Sequence, residues 1–176
     1  AMHLLGLIEK DQGALAKARE WFRKGLKVTP KHVHLLNSSG LLEEHLGDPA
    51  RAESLFRKAM AVDPAYFHAR YNLANLFDTL HDYPKAARLY RQVLQQQPDH
   101  VESLANLSII LEAQHRLDEA RSLAQQALQT HSEHFIARLT LANLATREKA
   151  FAEVIKLLGP LIKAGRLSPV NHDVAV

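Results

Sequence analysis

A chain of 176 residues with 47% hydrophobic and 23% charged residues suits one domain or one short repeat array, and it can bury a sizeable core. It has no cysteine, which excludes a disulfide framework and any thiolate metal site. The formal net charge is +3, with basic residues gathered towards the two ends rather than along a stripe, which argues against a nucleic-acid partner.

In chain order, the opening "AMHLLGLIEKD" has no basic leader before its apolar part, and no apolar run approaches the roughly 20 residues that span a bilayer. No membrane insertion is expected. A cytoplasmic home is the expectation, with the periplasm fitting equally well. The Ala1-Met2 start reads as a cloning scar. Beyond it the chain announces a period, because Pro30, Pro64 and Pro98 are 34 residues apart and Ser132 stands where a fourth proline would fall. Rows of that length align Ala18, Ala52, Ala86 and Ala120, with Val154 completing the column. A second column reads Phe22, Phe56, Tyr90, Ala124, Leu158, and a third reads Gly6, Gly40, Ala74, Ser108, Ala142. The expected repeats are 1–32, 33–66, 67–100, 101–134 and 135–168, with 169–176 starting a truncated or capping helix.

Each row divides into two helical patterns around a turn. In the second row Leu36, Leu42 and Leu46 precede a break at "GDP", and the pattern resumes at Ala52, Leu55, Phe56, Ala59 and Met60 with helical spacing. Asp48 is the expected cap of that second helix, with Pro49 in its first turn. Asp82 is placed to act similarly before "YPKAARLYRQVL". The proline at a row's end stops the second helix. The glycine and alanine columns facing the aromatic column predict small-against-large packing within a pair. Ser39 and Arg70 break the apolar pattern. The end at "SPVNHDVAV" reads as the first turns of another helix, so the expectation is a fragment of a longer protein. A solenoid end without a polar cap is an expected surface for a homo-oligomer.

These residues resemble the tetratricopeptide repeat family, whose signature combines an LG-type pair, A-x3-F and a closing proline at a period of 34. The first row supplies Leu5-Gly6, "AREWF" from Ala18 to Phe22, and Pro30. The second supplies Gly40, "AESLF" from Ala52 to Phe56, and Pro64; the third supplies Leu73, Phe77, "AARLY" from Ala86 to Tyr90, and Pro98. The fourth keeps Leu107, Leu111 and Ala120 but loses the aromatic and the proline, and the fifth keeps Leu141, Ala142 and Val154. Pentatricopeptide repeats, which bind RNA, fit less well because the tetratricopeptide residues recur at a strict 34 and the charge pattern is wrong for following phosphates.

The resemblance implies an all-α, right-handed superhelical solenoid of about five antiparallel helix pairs, with first helices lining a concave groove. It implies that the sixth and ninth residues of a row face that groove: Asn72 and Asn75 in the third row, Asn106 in the fourth, Asn143 in the fifth. A carboxamide both donates and accepts, so a ladder of them suits an extended peptide backbone whatever its side chains. His34, Asn37, Leu41, Glu44 and His45 join the groove from the second row, and His68, Tyr71, Asp78 and Thr79 from the third. Glu102, Ile109 and Glu112 follow from the fourth, and Ile136, Leu139, Thr140 and Arg147 from the fifth. Glu44, Asp78 and Glu112 recur at the repeat spacing and would favour a basic or amide-rich segment.

A carboxylate clamp of the kind that takes acidic chaperone tails is not expected. Asn75 and Asn106 match its asparagines, but Tyr71, Ile136 and Thr140 stand where its cations belong. The eleven histidines suggest no metal, because His32, His100 and His134 share a column a whole repeat apart, and His81 and His115 sit in the turns within rows. No cofactor is expected. The chain has no glycine-rich phosphate loop and no nucleophile elbow, and the neighbouring carboxylates Glu43 and Glu44 point apart on a helix. The sequence therefore predicts a non-catalytic scaffold for a protein or peptide partner. The alternatives are a docking arm of a larger enzyme of the glycosyltransferase, sulfotransferase or hydroxylase type, or a self-association module.

Overall fold

The computed structural model describes residues 1–163 and 165. Among them all regular structure is α-helical: α1 (Met2–Asp11), α2 (Leu15–Val28), α3 (Val33–His45), α4 (Pro49–Val62), α5 (Phe67–Thr79), α6 (Tyr83–Gln96), α7 (Val101–Ala113), α8 (Leu117–Thr130), α9 (Phe135–Arg147) and α10 (Phe151–Lys163). The helix expected over 169–176 lies outside the described residues. The chain divides into two compact units, Ala1–Pro98 and a second starting at Asp99. In the first, α1 packs on α2, α3 on α4 and α5 on α6, with α4 against α5 and α3 against α5 joining successive pairs. In the second, α7 packs on α8 and α9 on α10, with α8 and α7 both against α9.

The turn inside each pair has one geometry. The residue after the helix C-cap is left-handed in all five: Gly13 (φ 76°), Gly47 (φ 78°), His81 (φ 59°), His115 (φ 59°) and Lys149 (φ 60°). Each closes two backbone bonds onto the helix it leaves. At the second turn Gly47 N donates to Glu44 O (3.0 Å) and Asp48 N to Glu43 O (2.9 Å); at the fifth, Lys149 N donates to Thr146 O (3.0 Å) and Ala150 N to Ala145 O (2.9 Å). These bonds satisfy carbonyls that the helix end leaves open, and they turn the chain back antiparallel within two or three residues.

Helix starts divide into two chemistries. Asp48 accepts from Arg51 N (3.0 Å) and Asp82 from Lys85 N (3.3 Å), with a proline in the first turn of both helices, as the sequence predicts. Three of the first helices, α3, α7 and α9, are capped instead by imidazoles, while α1 and α5 have no side-chain cap. His32 Nδ1 accepts from Leu35 N (3.2 Å), His100 Nδ1 from Ser103 N (3.2 Å) and His134 Nδ1 from Ala137 N (3.3 Å). A ring nitrogen that accepts carries no proton, so these rings hold theirs on Nε2.

The core of the first two pairs is a ring pressed on a glycine. A Cβ on Gly40 would lie 2.5 Å from Phe56 Cε1, and one on Gly6 would overlap the Phe22 ring more closely still. Phe22, Phe56 and Tyr90 are fully buried, together with Ala18, Ala52 and Ala86. Leu46 does not join this core: it is the C-cap of α3 and is exposed, because the helix ends one residue before it. The two irregular positions are hydrogen-bonded, although the buried Arg70 Nε is left without a partner. Ser39 Oγ donates to Leu35 O (2.7 Å), and Arg70 reaches out of the helix to Gln96 Oε1 (2.8 Å) and Pro64 O (3.3 Å). In the second unit Arg138 does the same to Ser132 O, through Nε (2.9 Å) and Nη2 (2.8 Å), at the place where the proline is missing.

Candidate peptide-binding site

In the first unit the structure brings two of the expected asparagines together. Asn72 on α5 donates from Nδ2 to Asn37 Oδ1 on α3 (2.8 Å), so side chains one repeat apart form a single amide pair. Asn37 is buried and Asn72 half-buried. Each amide has two donors and one acceptor oxygen. Among the described residues the pair therefore leaves Asn72 Oδ1 as an acceptor and Asn37 Nδ2 as a donor.

Asn75, one turn further along α5, serves its own pair: its Oδ1 accepts from the buried Tyr90 hydroxyl of α6 (2.7 Å), and the Tyr71 ring lies 6.2 Å from that of Tyr90. A buried phenol needs such a partner. This asparagine thus has a packing role that sequence reasoning did not assign. Glu44 and Asp78 are half-buried on α3 and α5. Burial pushes both carboxyls above their ordinary range, opposed at Asp78 by the nearby His81. Neither has a salt-bridge partner among the described residues, so Glu44 is desolvated without a cation to offset it and Asp78 is offset only in part, by His81.

Rings line the starts of the first helices in this unit. His3 lies 5.6 Å from His32, His32 6.1 Å from His34, His34 4.9 Å from Tyr66, and Tyr66 5.2 Å from His68. Expected groove residues His34 and His68 belong to this run. His3 also bonds Ser38 Oγ through Nε2 (2.9 Å); burial, then the charges of His32 and His34, hold its ring below the usual imidazole range. Among the described residues no group of three or more His, Asp or Glu side chains is arranged to hold a metal ion.

In the second unit the expected residues have different surroundings. Glu112 is buried and lies 3.6 Å from Arg147, so its charge is met within the unit. Asn106 on α7 is half-buried, whereas Asn143 on α9 is exposed. Thr140 is buried and turned back on its helix, donating to Ile136 O (3.1 Å).

One polar knot escaped the sequence. Glu43 is buried on α3 and accepts from Arg19 of α2 through both oxygens (2.9 and 2.6 Å), while Arg51 of α4 approaches it at 3.2 Å. The hydrogen bonds to Glu43 raise the Arg19 guanidinium above its ordinary range. Its neighbour Glu44 does point elsewhere. The spacing gave no sign of the knot because its three members come from three helices.

Sequence models described as tetratricopeptide repeat match residues 1–32 and, in overlapping stretches, 45–107, 79–123 and 111–170. Among curated proteins none matches. Solved structures that are similar include PilF of Pseudomonas aeruginosa, with a TM-score of 0.86 at 18% identity, covering 96% of this chain and 77% of that one. A MamA fragment from Desulfovibrio magneticus RS-1 gives 0.80 at 16% identity, covering 94% and 93%. YrrB, described as a TPR protein with an unusual peptide-binding site, gives 0.73 at 15% identity, covering 92% and 84%. At these identities the likeness is one of fold.

Proposed function

The chain belongs to the tetratricopeptide repeat family, and from that premise we propose that its first unit binds an extended segment of a partner protein along the face carried by Asn37 and Asn72. The family's fold is that of protein-interaction scaffolds, which gives the coarse reading. The Asn72–Asn37 bond carries the finer one. It fixes two amides in one orientation and presents an acceptor and a donor, which is the pattern a peptide unit complements with its own N–H and C=O. Rotamer freedom of both side chains is already lost before binding, so less remains to be lost on capture. Glu44 and Asp78, both desolvated and in no salt bridge among the described residues, favour a segment with basic or amide side chains. YrrB, which is similar in fold, is described as having an unusual peptide-binding site, which supports this reading.

The test is capture of partners from the source lysate by the wild-type chain and by Asn72→Ala, with circular dichroism and thermal melting showing equal folding. Asn72→Ala is the cleaner variant, because Asn75→Ala would also strip the buried Tyr90 hydroxyl of its acceptor. A partner kept by wild type and lost by Asn72→Ala supports the reading. Equal capture by both moves the binding surface elsewhere.

A further inference from the structure

A second surface of the first unit has a different chemistry. Between α2 and α4, over α3, lies a cleft of about 220 Å³. Its floor is apolar: Phe22, Leu42 and Leu55 are buried beneath it and Leu26 is half-buried at its side. Its rim is cationic. Arg19, Arg23 and Lys27 follow one another at four-residue steps along α2, which puts one cation per turn on a single stripe, and Arg51 faces them from α4.

The charges of the rim are unevenly answered. Glu43 is the carboxylate among the cleft's lining residues, and it is taken by Arg19 and Arg51. Glu20, on the same helix as the stripe, is taken by Lys24 (2.8 Å), with a weaker attraction from Arg23. Arg23 and Lys27 are exposed and make no ion pair or hydrogen bond among the described residues. In water this costs little. Covered by a partner, two cations beside an apolar floor become strong selectors of sign, because wrong-sign contacts lose their hydration without compensation.

We propose that this cleft is a second docking site, which takes an acidic and apolar segment of a partner protein, its carboxylates on Arg23 and Lys27 and an apolar side chain on Leu26 and Leu55. The apolar floor distinguishes this occupant from a nucleic acid, whose phosphates would find cations there but whose backbone has nothing to place against leucines. One turn of α2 separates Arg23 from Lys27 by about 6 Å. That matches carboxylates four apart on a partner helix, or two apart on an extended segment at roughly 6.7 Å. The site is independent of the amide pair, and it selects the opposite charge from the one Glu44 and Asp78 favour.

The experiment is a random-peptide display selection on the intact 176-residue chain, followed by affinity measurement with synthetic copies of the enriched peptides. The expected result is a class of peptides with Asp or Glu at two- or four-residue spacing interleaved with Leu, Ile, Phe or Met. Their affinity falls at least about tenfold on Arg23→Glu with Lys27→Glu, falls less on the matching glutamine changes, and weakens between about 50 and 500 mM salt. Asn72→Ala leaves it unchanged, which separates this site from the amide face. Three outcomes overturn the proposal: no acidic class is enriched; an acidic class depends on Asn72 and not on Arg23 and Lys27; or poly(U) RNA or a second copy of the chain binds with the Arg23 and Lys27 dependence while no acidic peptide does.

Discussion

The unit Ala1–Pro98 and the unit that begins at Asp99 use the same helix pairs and the same turn, yet they fill their interiors with different side chains. The first sets rings into gaps, with Phe22 on Gly6 and Phe56 on Gly40, and Tyr90 is buried in the third pair. Every aromatic residue of the chain except Phe135 and Phe151 lies in this unit. The second replaces the rings by Ala124 and Leu158 and relies on buried alanines such as Ala120, Ala127, Ala137 and Ala145. It also buries hydroxyls: Ser108 Oγ donates to Ala105 O (2.7 Å) and reaches Thr140 Oγ1 (3.4 Å). Small side chains let helices approach closely, but each removes less apolar area from water. In α10 the apolar surface is left largely open, with Phe151 64% and Ile155 72% exposed. One backbone repeat thus tolerates two ways of packing, with large rings in the first unit and small side chains in the second.

Cutting a ring tests that difference most strongly. Phe56→Ala gives the second pair the side chain that position 124 already has, and it should cost about 3–5 kcal/mol in chemical denaturation. A loss below about 2 kcal/mol would sink the claim that rings set into gaps hold the first unit. Filling a gap is the next largest effect. Gly40→Ala drives a Cβ into Phe56 and should cost about 1–3 kcal/mol despite its better helix propensity. Ser108→Ala, in the same column of the second unit, removes one hydroxyl without overlap and should cost under about 1 kcal/mol. If the two substitutions cost the same, the columns are not packed differently.

The imidazole caps come next in size, and they add a pH dependence. His134→Ala should lose about 1 kcal/mol near neutral pH, the usual worth of a cap. Burial, then the charge of His131, lowers the pKa of His134 against an opposing pull from Glu102, and His3 is lowered chiefly by burial. The unfolded chain therefore takes up protons first as pH falls below 6.5, and stability is lost from there down to the lower native values. The burial of Glu44 and Asp78, which raises both carboxyls, acts in the opposite sense and adds stability as pH falls towards their unfolded values of 4.5 and 3.8. Thermal melts between pH 7 and 5.5 should fall for wild type and fall less steeply for His134→Asp, which keeps a cap that needs no neutral ring.

The period, the helix pairs, the aspartate caps and the small column were legible because each depends on residues close in sequence or repeated at fixed spacing. The role of the histidine column was not. Imidazole is outside the usual set of capping side chains, and only the geometry shows that Nδ1 accepts from the third residue on. The pairing of Asn72 with Asn37 and the knot around Glu43 were equally hidden, since each joins helices whose relative rotation the spacing does not specify. Asn75 was legible as an amide at the ninth place of its row, but its bond to Tyr90 needed the second helix in position.

The smallest effect concerns the turn, where glycine serves two pairs of the first unit and a residue with a Cβ serves its third pair and both pairs of the second. Gly13 and Gly47 adopt the left-handed conformation without a Cβ, whereas His81, His115 and Lys149 adopt it with one. For an ordinary side chain that conformation costs roughly 1–2 kcal/mol. His81 has local support, since its Nδ1 meets the Tyr83 hydroxyl at 2.9 Å. Lys149 has no side-chain bond among the described residues, so its strain is unrelieved. Replacing it by glycine removes the strain but loosens the unfolded chain, which takes back part of the gain. Lys149→Gly should therefore stabilise the second unit by about 0.5–1 kcal/mol, read as slower amide exchange in α9 and α10. Gly47→Lys should cost about 1 kcal/mol in the first unit, because it installs the strain where none exists. If both substitutions leave exchange unchanged, the left-handed turn carries no measurable strain, and the difference between the units lies in their interiors alone.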